Sequence, residues 1–213
     1  MLDPVAKNKT RSRLIESGLH LFGKNGFEGT STRDLAARAD TNVASIAYHF
    51  GGKAGLRAAC ARALADQIAE VLDAQGISQP PGTPQEALVE IERIVGAFVQ
   101  LLVGTPQAGD MVAFMLRELT DPGEIAAMIY TEFLEPRHIA LCTLWAKATG
   151  RAANDEQVKL AVFSMIGQVL YFRIARPFVG QRMGWDGIGR EETQKVADIV
   201  IANLRDTIER HRI

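Results

Sequence analysis

Two sets of side chains have the types and the spacing to do chemistry. The first runs from Thr32 to Lys53, through TSTRDLAARADTNVASIAYHF (residues 30–50) and the Gly-Gly-Lys after it. Thr32 offers a hydroxyl and Arg33 a guanidinium, whose planar fork matches a guanine edge. Asn42, Val43, Ala44 and Ser45 then present an amide, two small apolar groups and a hydroxyl in succession. Val43 and Ala44 suit contact with thymine methyls, and Ser45 can donate to or accept from a base edge. Tyr48, His49 and Lys53 supply a phenol, an imidazole and an ammonium, groups that hold backbone phosphates and orient a module without reading sequence. For Tyr48 and His49 a plainer alternative is packing against the next helix.

The second set is Met111, Phe114, Met115, Arg117, Phe133, His138, Gln168 and Tyr171, with Glu118, Met128, Trp145 and Arg173 in the same stretch. Apolar and aromatic walls with a few polar groups suit a pocket for a small, partly apolar molecule. Met and Phe at helical spacing also suit an ordinary core. Neither set contains a nucleophile–base motif, a Gly-rich phosphate loop or an HExxH, which argues against an enzyme. The neighbours Arg117 and Glu118 read as a structural ion pair rather than an acid/base device. Cys60 and Cys142 lack a second ligand at metal spacing, so neither a metal nor a cofactor is expected.

The elements that must position the first set are two short helices. Thr30, Ser31 and Thr32 offer an N-cap, and Leu35, Ala36 and Ala39 recur at helical spacing. Asp40-Thr41-Asn42 breaks the pattern: Asp tolerates the left-handed conformation of a turn, and Asn42 can cap a second helix. That helix, over residues 43–48, buries Ile46. Helix, short turn, helix is the outline whose second helix enters the DNA major groove. A longer helix precedes it from about Lys9, after a loose arm, and ends at Asn25-Gly26-Phe27, where Gly26 takes the left-handed position.

Beyond Lys53 every segment reads helical, so the fold class is all-α. A lever helix runs over residues 53–75, with Leu56, Cys60, Leu64, Ile68, Val71 and Leu72 inside, and residues 76–84 form a turn-rich loop. Further helices are expected over residues 85–103, around 111–119, over 122–149 and 155–176, and over 191–211. Pro136 should kink or split the third of these, and 178–189 reads as a Gly-rich loop. The functional boundary is expected inside the lever, giving residues 1–55 and 56–213.

The formal net charge is −1, yet residues 1–60 carry nine Lys and Arg against five Asp and Glu. A basic head on an acidic remainder is a modest nucleic-acid footprint. The N-terminus has no apolar h-region, so a cytoplasmic protein is expected. The most apolar run, residues 160–172, is too short to span a bilayer.

In order and spacing, Gly26-Phe27-Glu28-Gly29-Thr30-Ser31, Ala36-Ala37-Arg38-Ala39 and Tyr48-His49-Phe50-Gly51-Gly52-Lys53 resemble the TetR family of transcriptional regulators over residues 9–56. Phe114–Leu119 with Asp121-Pro122 beyond it, together with residues 42–48, resembles the CecR/CerR-type subgroup. The resemblance implies an N-terminal three-helix helix-turn-helix domain and a larger helical ligand-binding and dimerisation domain. It supports the DNA-contact roles given above for Thr32, Arg33, Asn42, Val43, Ala44, Ser45, Tyr48, His49 and Lys53. It further implies a homodimer through the helices at 155–176 and 191–210, a double-stranded operator and a small-molecule effector. The alternative is a second domain that only dimerises or binds a protein. Two positions depart from the pattern. Ala47 stands where the family often has a phosphate-binding tyrosine, and Asp40 where it usually has a turn glycine.

Overall fold

The computed structural model describes residues 4–73, 81–106, 108–120 and 123–213. Residues 76–80 of the expected loop, Gln75 and the side chains of Val71 and Leu72 on the lever, Asp121-Pro122 and the first three residues of the arm lie outside them. All regular structure among the described residues is helical: α1 Pro4–Asn25, α2 Thr32–Arg38, α3 Ala44–Phe50, α4 Lys53–Asp73, α5 Pro84–Leu102 and α6 Ala108–Thr120. Next come α7 Glu124–Ile129, a π-helical stretch Tyr130–Leu134, α8 Glu135–Thr149, α9 Glu156–Ile174, α10 Arg176–Met183 and α11 Arg190–His211. Helix α1 begins at Pro4 instead of near Lys9, because the first turn of a helix tolerates a residue without an N–H.

The chain divides into two compact units, Met1–Ile68 with Gly109–Tyr130, and Ala69–Ala108 with Thr131–Ile213. This differs from a single cut after residue 55. Helix α6, expected in the second domain, belongs almost entirely to the first unit.

In the first unit, Leu14, Phe22, Leu35, Ile46, Leu56 and Leu64 are wholly buried. Each contributes roughly 1.5–3 kcal/mol of hydrophobic stabilisation. Close packing on α1 leaves no room for a side chain at two glycines. A Cβ on Gly18 would lie 2.5 Å from Cys60 Sγ, and one on Gly23 would lie 2.9 Å from the Phe114 backbone nitrogen. Gly26 ends α1 at φ 76°, with Phe22 and Phe27 rings 5.9 Å apart, as the Asn-Gly-Phe sequence leads one to expect. Helix α6 is then tied down by charge. Arg117 donates to the carbonyls of Gly23 and Lys24 at 3.3 and 3.2 Å, satisfying orphan acceptors at the end of α1. Arg57 of α4 meets Glu118 with two parallel hydrogen bonds of 2.7 Å, and Glu118 is buried. His20 Nδ1 lies 3.0 Å from both carboxylate oxygens of Asp110.

In the second unit, α5 is opened by Thr83, which accepts from Glu86 N while Glu86 accepts from Thr83 N, with Pro84 in the first turn. It packs on α8, α9 and α11 around Ile91, Val95, Trp145, Val162, Val200 and Ile208. The single helix expected over 122–149 is split as Pro136 requires. The π-helical stretch precedes it, and Pro136 stands in the first turn of α8. The loop expected over 178–189 is helical as far as Met183: Pro177 opens α10 rather than ending α9, and Gly184 at φ 67° stops it.

Candidate functional site

Local sequence builds the helix-turn-helix. Ser31 accepts from Asp34 N at 3.1 Å and donates to the Asp34 carboxylate at 2.6 Å, capping α2. Helix α2 ends with Asp40 at φ 46°, Thr41 N donating to Ala36 O and Asp40 N to Ala37 O, the paired bonds of a Schellman cap. Asp40 takes the left-handed position without a glycine. Its carboxylate meets Arg13 at 2.7 Å, and that hydrogen bond holds the acid below the usual carboxylate range. Asn42 Oδ1 accepts from Ser45 N at 2.9 Å and caps the first turn of α3. Ile46 anchors α3 in the core, and Gly51 at φ 74° closes it.

With Ile46 inward, α3 turns Val43, Ala44, Ala47 and Tyr48 to the surface. Tyr48 is 62% exposed, and its ring meets His49 edge-to-face at 5.0 Å. Thr32 is half-buried and Arg33 exposed at the start of α2. Two residues make bonds within the chain that spacing does not announce. Ser45 is partly withdrawn: its hydroxyl donates to Asn42 Oδ1 at 3.0 Å and lies 2.9 Å from Thr41 Oγ1, so donating to a base would mean giving up the bond to Asn42. Lys53 donates to Phe27 O at 2.9 Å and Thr30 O at 3.1 Å, with its ammonium 4.2 Å from the Phe27 ring centroid. Those bonds consume two of its three donors. Lys53 is thus a clasp on the loop between α1 and α2, helped by Thr30, whose hydroxyl donates to Gly26 O at 2.7 Å.

The eight residues expected around a ligand are divided between the two units. Met111, Phe114, Met115 and Arg117 lie in the first unit, and Phe133, His138, Gln168 and Tyr171 in the second. Met111, Phe114 and Met115 are core, and Arg117 is committed to the end of α1. Nor are Arg117 and Glu118 an ion pair with one another, since neighbours on a helix point apart; Glu118 serves Arg57. Phe133 is buried beneath Arg137, His138 stacks on Phe163 at 4.0 Å, and Tyr171 is 60% exposed.

Gln168 alone lines the cleft that the second unit does contain, a space of about 360 Å³ between α8, α9 and α11. Trp145, Leu160, Met165, Leu204 and His211 form much of the rest of its wall. His211 was not legible as a participant, because it joins Trp145 only through the packing of α11 on α8. Burial raises Cys60 to about 12 and also raises Cys142, so both thiols stay protonated and inert at neutral pH. No group of three or more metal-ligating side chains occurs among the described residues. No single helix among them is long and apolar enough to cross a membrane, although α9 and α10 together pass on length and composition across a 74° bend.

Residues 14–60 match the family described as bacterial regulatory proteins, tetR family. Residues 87–209 match the C-terminal domain of the HTH-type transcriptional dual regulator CecR. The chain is 30% identical over 206 residues to the dual regulator CecR of Shigella flexneri, covering 94% of this chain and 92% of that one. It is 29% identical over 128 residues to YttP of Bacillus subtilis (strain 168), a probable HTH-type transcriptional regulator, covering 60% and 59%. In fold it resembles a TetR-like regulator from Rhodococcus sp. RHA1 (TM-score 0.70, 15% identity, covering 98% and 99%). A TetR-family member from Streptomyces coelicolor A3 is also similar (TM-score 0.63, 21% identity, covering 90% and 88%). With a capped helix-turn-helix near its N-terminus and a matching C-terminal domain over most of the rest, this chain belongs to the TetR family of DNA-binding transcriptional regulators, and within it to those with a CecR-type C-terminal domain.

Proposed function

We propose that the protein is a ligand-responsive repressor, a homodimer released from a palindromic operator when a small molecule binds its second unit. The observation that carries the DNA half of this reading is the outward face of α3. A helix capped by Asn42 and anchored by Ile46 exposes Val43, Ala44 and Tyr48 on one side, with Arg33 exposed on α2. In the complex, Val43 and Ala44 meet thymine methyls, Arg33 reads a guanine, and Thr32, Tyr48 and His49 hold phosphates. Ser45 contributes by exchanging a bond to Asn42 or Thr41 for one to a base. Lys53 acts chiefly by holding the loop that presents α2. On this reading residues 1–55 bind DNA and residues 56–213 serve ligand binding and dimerisation.

One short recognition helix makes too few base contacts for useful specificity, and two copies would read half-sites ~34 Å apart or at a longer phase-matched spacing. Helix α9 offers a surface for pairing: Leu160, Phe163, Tyr171 and Ile174 are each more than half exposed, and Ile199 on α11 is 51% exposed. A large exposed apolar patch marks an interaction site. Effector binding needs to favour the released state by only about 1–3 kcal/mol. The CecR relative is named a dual regulator, and AcnR of Corynebacterium glutamicum, 32% identical over 68 residues covering 32% of this chain and 36% of that one, a repressor. Of these two kinds of outcome, repression is the one proposed for this chain.

Fluorescence anisotropy with DNA flanking the protein's own coding region tests the first half. The expectation is binding that weakens steeply with salt; no binding at low salt removes the proposal. Sedimentation tests the second, and a monomer at micromolar concentration would rule out the dimer.

A further inference from the structure

Trp145 and His211 line the cleft between α8, α9 and α11, and each carries a buried nitrogen without a hydrogen-bond partner among the described residues: the indole Nε1 and the imidazole Nδ1. A buried polar group left unpaired is rare and costly in a native protein. Trp145 is 1% exposed, and its ring centroid stands 6.4 Å from that of His211. The arrangement is built rather than incidental. The end of α11 is held to α8 and the turn after it by Arg151 Nε donating to His211 O at 2.8 Å, Arg212 Nε to Ala148 O at 3.3 Å and Ile213 N to Thr149 O at 3.1 Å. These bonds fix His211 beside the tryptophan.

The remaining wall sets apolar Leu160, Met165, Val200 and Leu204 beside uncharged polar Gln157, Ser164, Gln168 and Thr207, and no Asp, Glu, Lys or Arg among the described residues lines the cleft. A volume of about 360 Å³ exceeds by roughly tenfold the ≈ 30 Å³ share of one water molecule. It falls at the small end of ligand pockets, roughly 300–1,000 Å³. An indole N–H is a donor only, so the missing partner is an acceptor.

From this we infer that the α8–α9–α11 cleft is a binding site for a compact, uncharged, mainly apolar molecule that presents a carbonyl-type acceptor to Trp145 Nε1–H, with His211 as the second polar contact. The inference rests on the reading of the second unit as effector-binding, and it names the site and the ligand's chemistry. A second copy pairing through α9 and α11 would also reach this cleft, and a Trp145 resonance that follows protein concentration would mark that occupant.

The test uses the full-length ¹⁵N-labelled protein, with Trp185→Phe to assign the indole signals. Coumarin, a bicyclic lactone with acceptors and no donor, is the probe, and indole, a bicycle with a donor and no comparable acceptor, is its counterpart. Coumarin should move the Trp145 Nε1–H resonance downfield and saturate. Trp145→Phe should weaken coumarin about tenfold, measured calorimetrically, and leave indole unchanged. If that variant does not fold, the downfield shift in the unsubstituted protein decides alone. Three results overturn the inference: no shift up to about millimolar coumarin, a shift that follows protein concentration instead of coumarin, or equal weakening of both probes. Coumarin that binds without altering operator affinity supports the site and counts against the effector reading. A molecule that releases DNA while leaving the Trp145 resonance in place overturns the site and leaves that reading standing.

Discussion

Both units tie helices together with charged side chains, but among the described residues only the second leaves buried side-chain nitrogens without a partner. In the first, buried or half-buried charges are spent on joining helices: Arg57 to Glu118, Lys53 to Phe27 and Thr30, and Arg117 to Gly23 and Lys24. In the second, two buried nitrogens around a cleft have no partner among the described residues. The difference teaches what each has to do. A unit that meets a rigid, charged duplex gains from having its surface held before contact, since less ordering remains to oppose binding. A unit that takes up a small molecule needs space and at least one unanswered hydrogen bond.

The sharpest way to break this contrast is to remove one half of its strongest pair. Glu118→Ala leaves the Arg57 guanidinium without its buried partner and should cost about 3–5 kcal/mol. Thermal unfolding monitored by circular dichroism measures it. Replacing both, Arg57→Met with Glu118→Leu, should restore most of the loss, because the pair repays little beyond its own desolvation. If the single variant melts like the parent, α6 is not held to the first unit by charge.

Next in size is Lys53→Ala, which removes two bonds to carbonyls and should cost about 1–3 kcal/mol. It separates the clasp from the phosphate contact suggested by sequence. A clasp lowers the melting temperature of the free protein. A phosphate contact leaves melting alone and reduces the slope of log affinity against log salt by about 1.

A smaller loss, about 1 kcal/mol, is expected from Asn42→Ala, which uncaps α3. Because Asn42 also holds Ser45, the variant should weaken operator binding with little change in its salt slope. An unchanged affinity would detach the cap from recognition.

The smallest effect concerns Asp40 and Arg13, an exposed pair. The pair depresses the folded-state carboxyl pKa, so its contribution is present above the unfolded carboxylate range. It is lost as pH falls through the depressed value. Titration of the Asp40 carboxyl by NMR should end below that of an unpaired aspartate, and Arg13→Ala should raise it. No rise would mean that the contact is absent in solution.

Much of the first unit was legible residue by residue. Ser31 and Asn42 as caps and Gly26 and Asp40 as left-handed residues depend on partners within about four positions. Local backbone chemistry decides them, so spacing alone announces them. Where reading failed, the partners were distant. Arg117 and Glu118 looked like a pair because they are adjacent, but a helix points neighbours apart and sends one to α1 and the other to α4. Lys53 carries the charge of a phosphate ligand, and its second role as a clasp comes from the return of the Phe27–Thr30 loop beside it, which spacing does not announce.

The sequence by itself determined the all-helical class, the helix-turn-helix and its outward face, since periodicity, caps and turns are properties of neighbouring residues. Tertiary structure decided which unit owns α6 and which aromatic residues are core. It also decided that Trp145 and His211, sixty-six positions apart, share one cleft. Those outcomes turn on how helices distant in the chain pack, and no local pattern encodes which buried nitrogen is left without a partner.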